Sequence, residues 1–137
     1  EEREKLDPIA REVFDTHPPG STDLHLHHRL GLAYLEAAEF GNAADQFRSL
    51  AEMLPFLYDV QALHARAEIG AGRFEEAERA AREAVFLEPG DPEGRLLLAA
   101  ALAGEGKRAE AEAALEKARA DGLEKIEDPL LAPLLEF

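Results

Sequence analysis

Residues 72–77 read GRFEEA and residues 106–111 read GKRAEA, so two similar stretches recur with a 34-residue period. The same register, extended towards the N-terminus, includes residues 41–43 and Phe47. It divides the middle of the chain into three windows, at residues 24–57, 58–91 and 92–125. A fixed period of this length indicates a repeat protein, in which each unit buries its apolar face against its neighbours.

Each window contains two stretches of helical periodicity, separated by a turn. In the second window, apolar residues recur at Phe74, Ala77, Ala81 and Ala84, which is the spacing of an amphipathic helix. Pro55 and Pro89 end the second helix of their windows, because proline cannot continue a helix in its interior. Asp91-Pro92 is a typical helix start. The pattern predicts helices at residues 24–38, 41–54, 57–71, 74–88, 92–104 and 107–121.

The first window carries a known repeat pattern at His27, Leu30, Gly31, Tyr34, Ala43, Phe47 and Pro55. These residues resemble the tetratricopeptide repeat family, except that the family usually has Trp at the position of His27. The second window keeps Ala65, Ala77, Ala84 and Pro89, and the third keeps Leu98, Ala99, Leu102, Ala111, Leu115 and Ala118. The resemblance implies an all-α fold, a right-handed superhelical α-solenoid of helix-turn-helix repeats with capping helices at both ends.

The composition agrees with an all-α fold. The 137 residues include 26 Ala and 21 Leu but only six Val and Ile together, so residues that favour strands are scarce. The formal charge of −14 argues against a nucleic-acid partner, which needs a basic face, and against an anionic membrane surface. With no cysteine, the chain has no disulfide, no thiolate nucleophile and no Cys-based metal site.

No apolar run approaches the roughly 18 residues that a membrane span needs. No signal peptide is visible in the sequence. We therefore expect a cytoplasmic protein. Because the chain starts at Glu1 without a methionine, removal of an upstream segment stays open.

Both flanks carry an Asp-Pro helix start. Asp7-Pro8 predicts a helix at residues 8–16, within an N-terminal region of residues 1–23. This helix is either half of a further repeat or an N-terminal cap. Asp128-Pro129 predicts a last helix within residues 126–137, which contains four leucines. These leucines either cap the final repeat, as solenoids require, or mediate dimerisation or docking to another chain.

Histidines cluster at His25, His27 and His28. His25 and His28 lie one helical turn apart, and two imidazoles at this spacing can bind a metal if carboxylates join them. No His-Glu-x-x-His motif or defined carboxylate ligand accompanies them, so we expect no metal and no cofactor. The cluster is interpreted as a solvated or groove-lining patch.

The second window departs from the family at Gln61, His64 and Glu68, where apolar or aromatic residues are expected. His64 and Glu68 are four residues apart and can pair on one helix face. One interpretation is a paired polar patch or a slight rotation of the helix; the other is a general acid–base pair. Ser21 and Ser49 are the only serines and neither lies in a nucleophile motif, so an enzyme is not expected.

The resemblance also implies a site, because the first helices of such repeats usually line a concave surface that binds peptides or proteins. The corresponding residues are His25, His28, Arg29, Leu32, Leu35, Ala62, Leu63, Arg66, Ile69, Leu96 and Ala100. We expect an amphipathic helix or an apolar extended segment as the ligand, with acidic groups facing Arg29 and Arg66.

The family members that bind chaperone tails use a clamp of Lys, Asn and Arg, which this sequence lacks. The predicted function is therefore a protein–protein interaction scaffold for a protein or peptide of another kind. The alternative is a self-associating assembly domain, a homo-oligomer whose groove is filled by its own termini or by a second copy.

Overall fold

The computed structural model describes residues 8–9, 11–12 and 23–137. The rest of the predicted N-terminal helix, including Val13 and Thr16, lies outside the described residues. Residues 23–137 contain six α-helices: α1 Asp23–Glu36, α2 Phe40–Met53, α3 Tyr58–Gly70, α4 Phe74–Leu87, α5 Pro92–Gly104 and α6 Arg108–Ala120. The predicted bounds agree with these to within two residues, and the described part of the chain contains no strand. The predicted all-α solenoid is therefore confirmed.

The helices pack in chain order, since each one from α1 to α6 contacts the next, and α3 also contacts α5. We call α1, α3 and α5 the A helices and α2, α4 and α6 the B helices. Contact between the A helices α3 and α5, in addition to the contacts between successive helices, is the stacking expected of a solenoid.

The turn between the A and B helices has the same geometry in all three repeats. Ala38, Gly72 and Gly106 lie one repeat period apart and adopt positive φ angles of 58°, 77° and 82°. Each donates its backbone N–H to the carbonyl three residues earlier at 3.0 Å, and the following residue donates to the carbonyl five residues before it at 2.8–2.9 Å. These bonds satisfy the last carbonyls of the A helix and reverse the chain. The first repeat therefore keeps the left-handed turn although it has alanine where the others have glycine.

Glycines allow close packing between A and B helices. A Cβ at Gly31 would lie 2.6 Å from the ring of Phe47, and a Cβ at Gly104 would overlap the ring of Phe74. A Cβ at Gly70 would likewise overlap the ring of Phe40. Phe40 and Phe74 are one repeat period apart, as are Gly70 and Gly104, so this contact belongs to the repeat.

The core consists of two buried clusters. One contains Leu30, Tyr34, Phe47 and Leu50 from the first repeat, together with residues of α3. The other extends from α3 to α6 and includes Leu131 and Leu135 from the end of the chain. Residues 123–137, which we call the C-terminal segment, thus form part of the core of the later repeats.

The C-terminal segment is not the α-helix predicted within residues 126–137. It forms a turn followed by a 3-10 helix, Ala132–Leu135. Asp128 stabilises the turn and does not cap the 3-10 helix, whose N-cap residue is Leu131. Its side chain accepts the Leu130 N–H at 2.9 Å, and its carbonyl accepts the N–H of Ala132 at 2.9 Å. Pro133 explains the difference, because it has no N–H to donate to an α-helical turn and disfavours the α conformation of the residue before it.

Candidate interaction surface

The predicted site residues lie on the A helices, and we call their combined surface the A-helix face. Its exposure changes along the chain. Leu32, Arg66 and Ala100 occupy equivalent positions in the three successive repeats. Leu32 is 37% exposed and Ala100 is 0% exposed, while the side chain of Arg66 is 32% exposed. Solvent access therefore falls from the first repeat to the third.

The part formed by α1 is open. His25, Arg29 and Leu32 are exposed, and His28 and Leu35 are half-buried. Leu63 on α3 is also half-buried. These six of the predicted residues form the open half of the A-helix face.

A cleft of about 580 Å³ lies beside the open half, between α1, the end of α2 and the start of α3. Its floor is apolar and includes Leu50, Leu54 and Val60. His28 and Asp59 are among its polar lining residues. The cleft thus combines an apolar floor with polar groups, as sites for protein side chains often do.

The part formed by α5 and one side of α3 is covered. Ala62, Ile69, Leu96 and Ala100 are all buried. They belong to the same apolar cluster as Leu131 and Leu135 of the C-terminal segment. We call this part the covered half of the A-helix face.

An ion pair fixes the C-terminal segment across this face. Arg66 Nη2 donates to Asp128 Oδ1 at 3.1 Å, and Arg66 Nη1 donates to Asp128 Oδ2. Arg66 lies on α3, whereas the 3-10 helix of the segment contacts α5. The segment therefore crosses the A-helix face from one repeat to the next, and Arg66 already has a carboxylate partner.

The histidine cluster shows no metal-binding arrangement. His27 Nδ1 lies 2.6 Å from Gln46 Oε1 on α2, so this side chain takes part in packing between the two helices. Within residues 8–9, 11–12 and 24–137, no group of three or more His, Asp or Glu side chains could hold a metal ion.

The polar residues of α3 form a buried network around Glu68, which is fully buried. His64 Nε2 lies 3.0 Å from Glu68 Oε2, and Arg48 Nη2 donates to the same oxygen at 3.0 Å. Arg73 Nη1 donates to Glu68 Oε1 at 3.4 Å. The predicted pairing of His64 with Glu68 is confirmed, and Gln61 is satisfied separately by a bond to the Pro55 carbonyl at 3.0 Å.

The charge of Glu68 is stabilised despite its burial. Burial by itself raises the pKa of this carboxyl, but hydrogen bonds from His64 and Arg48 outweigh it and hold the pKa below its usual value. Arg48 lies on α2 and Glu68 on α3. The network therefore joins the first repeat to the second, which is a structural role.

Sequence reasoning missed three features of the structure. Nothing local relates Asp128 to Arg66, which is 62 residues away. Arg48 likewise reaches Glu68 only through the packing of the first repeat on the second, whereas Arg73 reaches it across the turn that follows α3. Phe86 lies on the B helix α4 and is 79% exposed, and the helical periodicity did not predict this exposure.

The exposed faces of the later helices carry charged side chains that pair along one helix. Arg82 Nε donates to Glu78 Oε2 at 2.7 Å, and Arg108 Nε donates to Glu112 Oε1 at 2.9 Å, both between residues four apart. Pairs of this kind stabilise an exposed helix only slightly. No helix in the described ranges is both long and apolar enough to cross a bilayer.

Comparison with known proteins agrees with the repeat analysis. Residues 68–127 match the family model of the tetratricopeptide repeat, so the predicted resemblance is confirmed over this part of the chain. This match covers most of the second window and the whole of the third. No curated protein matches the chain.

Solved structures share the fold. A structure of MamA MSR-1 has 24% identity and a TM-score of 0.70, over 82% of this chain and 63% of that one. A structure of MamA AMB-1 has 24% identity and a TM-score of 0.69, over 85% of this chain and 62% of that one. The CopN-Scc3 complex has 21% identity and a TM-score of 0.68, over 94% of this chain and 72% of that one. The chain spans less than two thirds of these MamA structures.

Proposed function

Since its later repeats are tetratricopeptide repeats, we propose that this chain is a protein–protein interaction module that binds a partner segment on its A-helix face. The observation that carries the proposal is the open half of that face. Between residues 24 and 35, α1 has no acidic residue, in a chain with a net charge of −14. Although Asp59 and Glu88 line the adjacent cleft, the exposed face of α1 itself is apolar and basic, which favours an apolar partner with an acidic group placed at α1.

The open half suggests how such a segment binds. Leu32 and Leu35 lie three residues apart on α1, so an apolar side chain of the partner can contact both. Arg29 is exposed and can receive a carboxylate. Arg66, the other arginine expected to bind acidic groups, is paired with Asp128 and is available only if that pair opens.

The comparisons support a protein partner at the level of the fold. The CopN-Scc3 structure is a complex, so a chain of this fold is found with a protein bound. For the present chain we infer only the class of partner, which is a protein or peptide.

The polar network supports an interaction module over an enzyme. Glu68 forms hydrogen bonds with His64, Arg48 and Arg73. The hydroxyl of Ser49 donates to the Asp45 carbonyl at 3.2 Å and so supplies no nucleophile to this pair. The network is explained by the packing of two repeats.

The test is affinity capture with three full-length baits. These are the wild-type chain, the double variant Leu32→Asp with Leu63→Asp, and the control variant Phe86→Asp. Phe86 is an exposed apolar residue on a B helix, so its variant makes the same chemical change away from the A-helix face. A protein recovered by wild type and by Phe86→Asp, but not by the double variant, is the expected result. Leu96 is left out because it is buried, and an aspartate there would unfold the repeat.

Self-association is a second candidate, favoured by the exposed aromatic residues Phe56 and Phe86, which are 67% and 79% exposed. Apolar side chains of this size on a surface often mark an interface. Sedimentation over a hundredfold range of concentration separates the candidates, since only self-association predicts a dimer that Phe86→Asp disrupts.

A further inference from the structure

The C-terminal segment binds the covered half of the A-helix face in the way that a peptide ligand would. Asp128 provides a carboxylate to Arg66. Leu131 and Leu135 follow it by three and seven residues, and they are only 1% and 6% exposed. The covered half therefore binds an acidic residue that is followed by leucines three and seven residues later.

Beyond Leu123, whose N–H donates to the Ala118 carbonyl of α6 at 3.0 Å, the segment is attached to the repeats through side chains. Within the described residues, the backbone N–H groups of Leu130, Leu131, Ala132 and Leu134 donate to acceptors in the segment itself, namely Asp128 and Leu131. Residues 123–128, the part of the segment that follows α6, form no helix. The segment can therefore leave the A-helix face without breaking a backbone hydrogen bond of α3 or α5.

The covered half would remain a defined surface after such a movement. It would present Arg66 beside the apolar residues Ala62, Leu96 and Ala100, adjacent to Leu63 of the open half. Arg66 joins the two halves, because it lies on α3 between them. A partner that displaces the segment would thus gain both a longer apolar surface and a second arginine.

We propose that the C-terminal segment is a displaceable occupant of the A-helix face, and that the partner displaces it with a segment of the same chemistry. That partner segment carries a carboxylate for Arg66 and leucines three and seven residues further on. The proposal rests on the proposed function, and it adds the chemical class of the partner and the contact that limits its access.

The test uses a full-length variant in which the segment cannot bind. Leu131→Asp combined with Leu135→Asp removes both apolar anchors, and Phe137→Asp makes the same kind of change at a residue that is 46% exposed. The probe is a labelled synthetic peptide of residues 124–137, measured by fluorescence anisotropy. A second peptide carries Asp128→Lys.

The double variant is expected to bind the wild-type peptide at least tenfold more tightly than wild type or Phe137→Asp does. The Asp128→Lys peptide is expected to bind the double variant at least tenfold more weakly, because its lysine repels Arg66. A double variant that keeps its helical circular dichroism but binds the peptide no better than wild type overturns the proposal. Equal binding of the two peptides also overturns it.

If the double variant does not fold, hydrogen exchange on the wild-type chain tests whether the segment can leave the A-helix face. The amides of Leu131, Ala132 and Leu134 are expected to exchange at least a hundredfold faster than those in the middle of α5, because the segment opens while the repeats stay folded. Equal exchange rates would mean that the segment is released only by global unfolding, which contradicts a displaceable occupant.

Sedimentation of the wild-type chain tests whether the segment belongs to a second copy instead. A monomer is expected. A concentration-dependent dimer that disappears in the Leu131→Asp, Leu135→Asp variant would assign the segment to a neighbouring copy and overturn displacement by a partner. These results are independent of the capture experiment, which changes Leu32 and Leu63 and leaves the segment intact.

Discussion

The first and third repeats place equivalent residues in opposite environments. Leu32 on α1 and Ala100 on α5 hold the same position of the repeat, yet Leu32 is 37% exposed and Ala100 is fully buried. The backbone around them is the same kind of helix, followed by the same turn. What differs is the packing, since α5 contacts α3, α4, α6 and the 3-10 helix of the C-terminal segment, whereas the main contacts of α1 are with α2.

This difference shows that the period fixes the place of a residue in the helical array but does not fix its access to solvent. Access depends on the neighbouring helices and on the segment outside the repeats. A binding residue carried over by the period alone is therefore a candidate only where no other part of the chain covers it. In this molecule that condition favours α1 and Leu63.

The largest expected change in the free energy of unfolding comes from a charge placed at the buried one of the two equivalent positions, Ala100. Ala100→Asp should lower the free energy of unfolding by about 3 kcal/mol or more, because a carboxylate would be buried without a partner. Leu32→Asp should change it by less than about 1 kcal/mol, because the side chain faces solvent. Urea unfolding followed by circular dichroism measures both. Equal losses would contradict the assignment of open and covered halves.

The Glu68 network, which joins the first repeat to the second, should give the next largest effect. Glu68→Ala should cost about 2–4 kcal/mol, because it removes a fully buried carboxylate and leaves its hydrogen-bond donors unpaired. Glu83→Ala, at an exposed position of α4, is the control and should change stability by less than about 0.5 kcal/mol. A loss at Glu68 no larger than at Glu83 would show that the network contributes nothing.

The same variant tests the protonation of Glu68. The pKa of this carboxyl is lowered in the folded chain, so its contribution to stability is present above the ordinary glutamate pKa of about 4.3. The contribution is lost as the pH falls through the lowered pKa. The stability difference between wild type and Glu68→Ala should therefore shrink between pH 5 and pH 2. A difference that stays constant over this range would contradict the lowered pKa.

The smallest expected change in stability comes from substitutions in the turn that the repeats share. Ala38 adopts a φ of 58°, whereas the later repeats have Gly72 and Gly106 at this position. Ala38→Gly should raise stability by about 0.5–1 kcal/mol, because glycine relieves the strain of the left-handed conformation by more than it adds to unfolded-state entropy. Gly72→Ala should lower stability by about 1 kcal/mol. Thermal unfolding of the two variants checks the signs, and a destabilised Ala38→Gly would refute the shared turn.

The helices could be predicted from the sequence because apolar spacing, prolines and the repeat period are local signals. The His64–Glu68 pair could be predicted for the same reason, since it depends only on helical spacing. The end of the chain was predicted less well. Asp128 accepts the Leu130 N–H within a turn and does not start a helix, and Pro133 prevents the α-helix that was expected to follow.

The covered half could not have been predicted in this way. Its cause is the contact between Arg66 and Asp128, together with the burial of Leu131, and these depend on how the segment folds back over two repeats. A sequence pattern shows that such leucines need a partner surface, but it does not show which surface they use. Arg48 illustrates the same limit, because its contact with Glu68 links α2 to α3.

The most direct test of the account is the dissociation constant of the captured partner for three chains, measured by calorimetry. The account predicts that Leu32→Asp weakens binding at least tenfold relative to wild type, and that Phe86→Asp leaves it unchanged. Unchanged binding by Leu32→Asp, with a loss at Phe86→Asp, would contradict it and would place the interaction on the B helices.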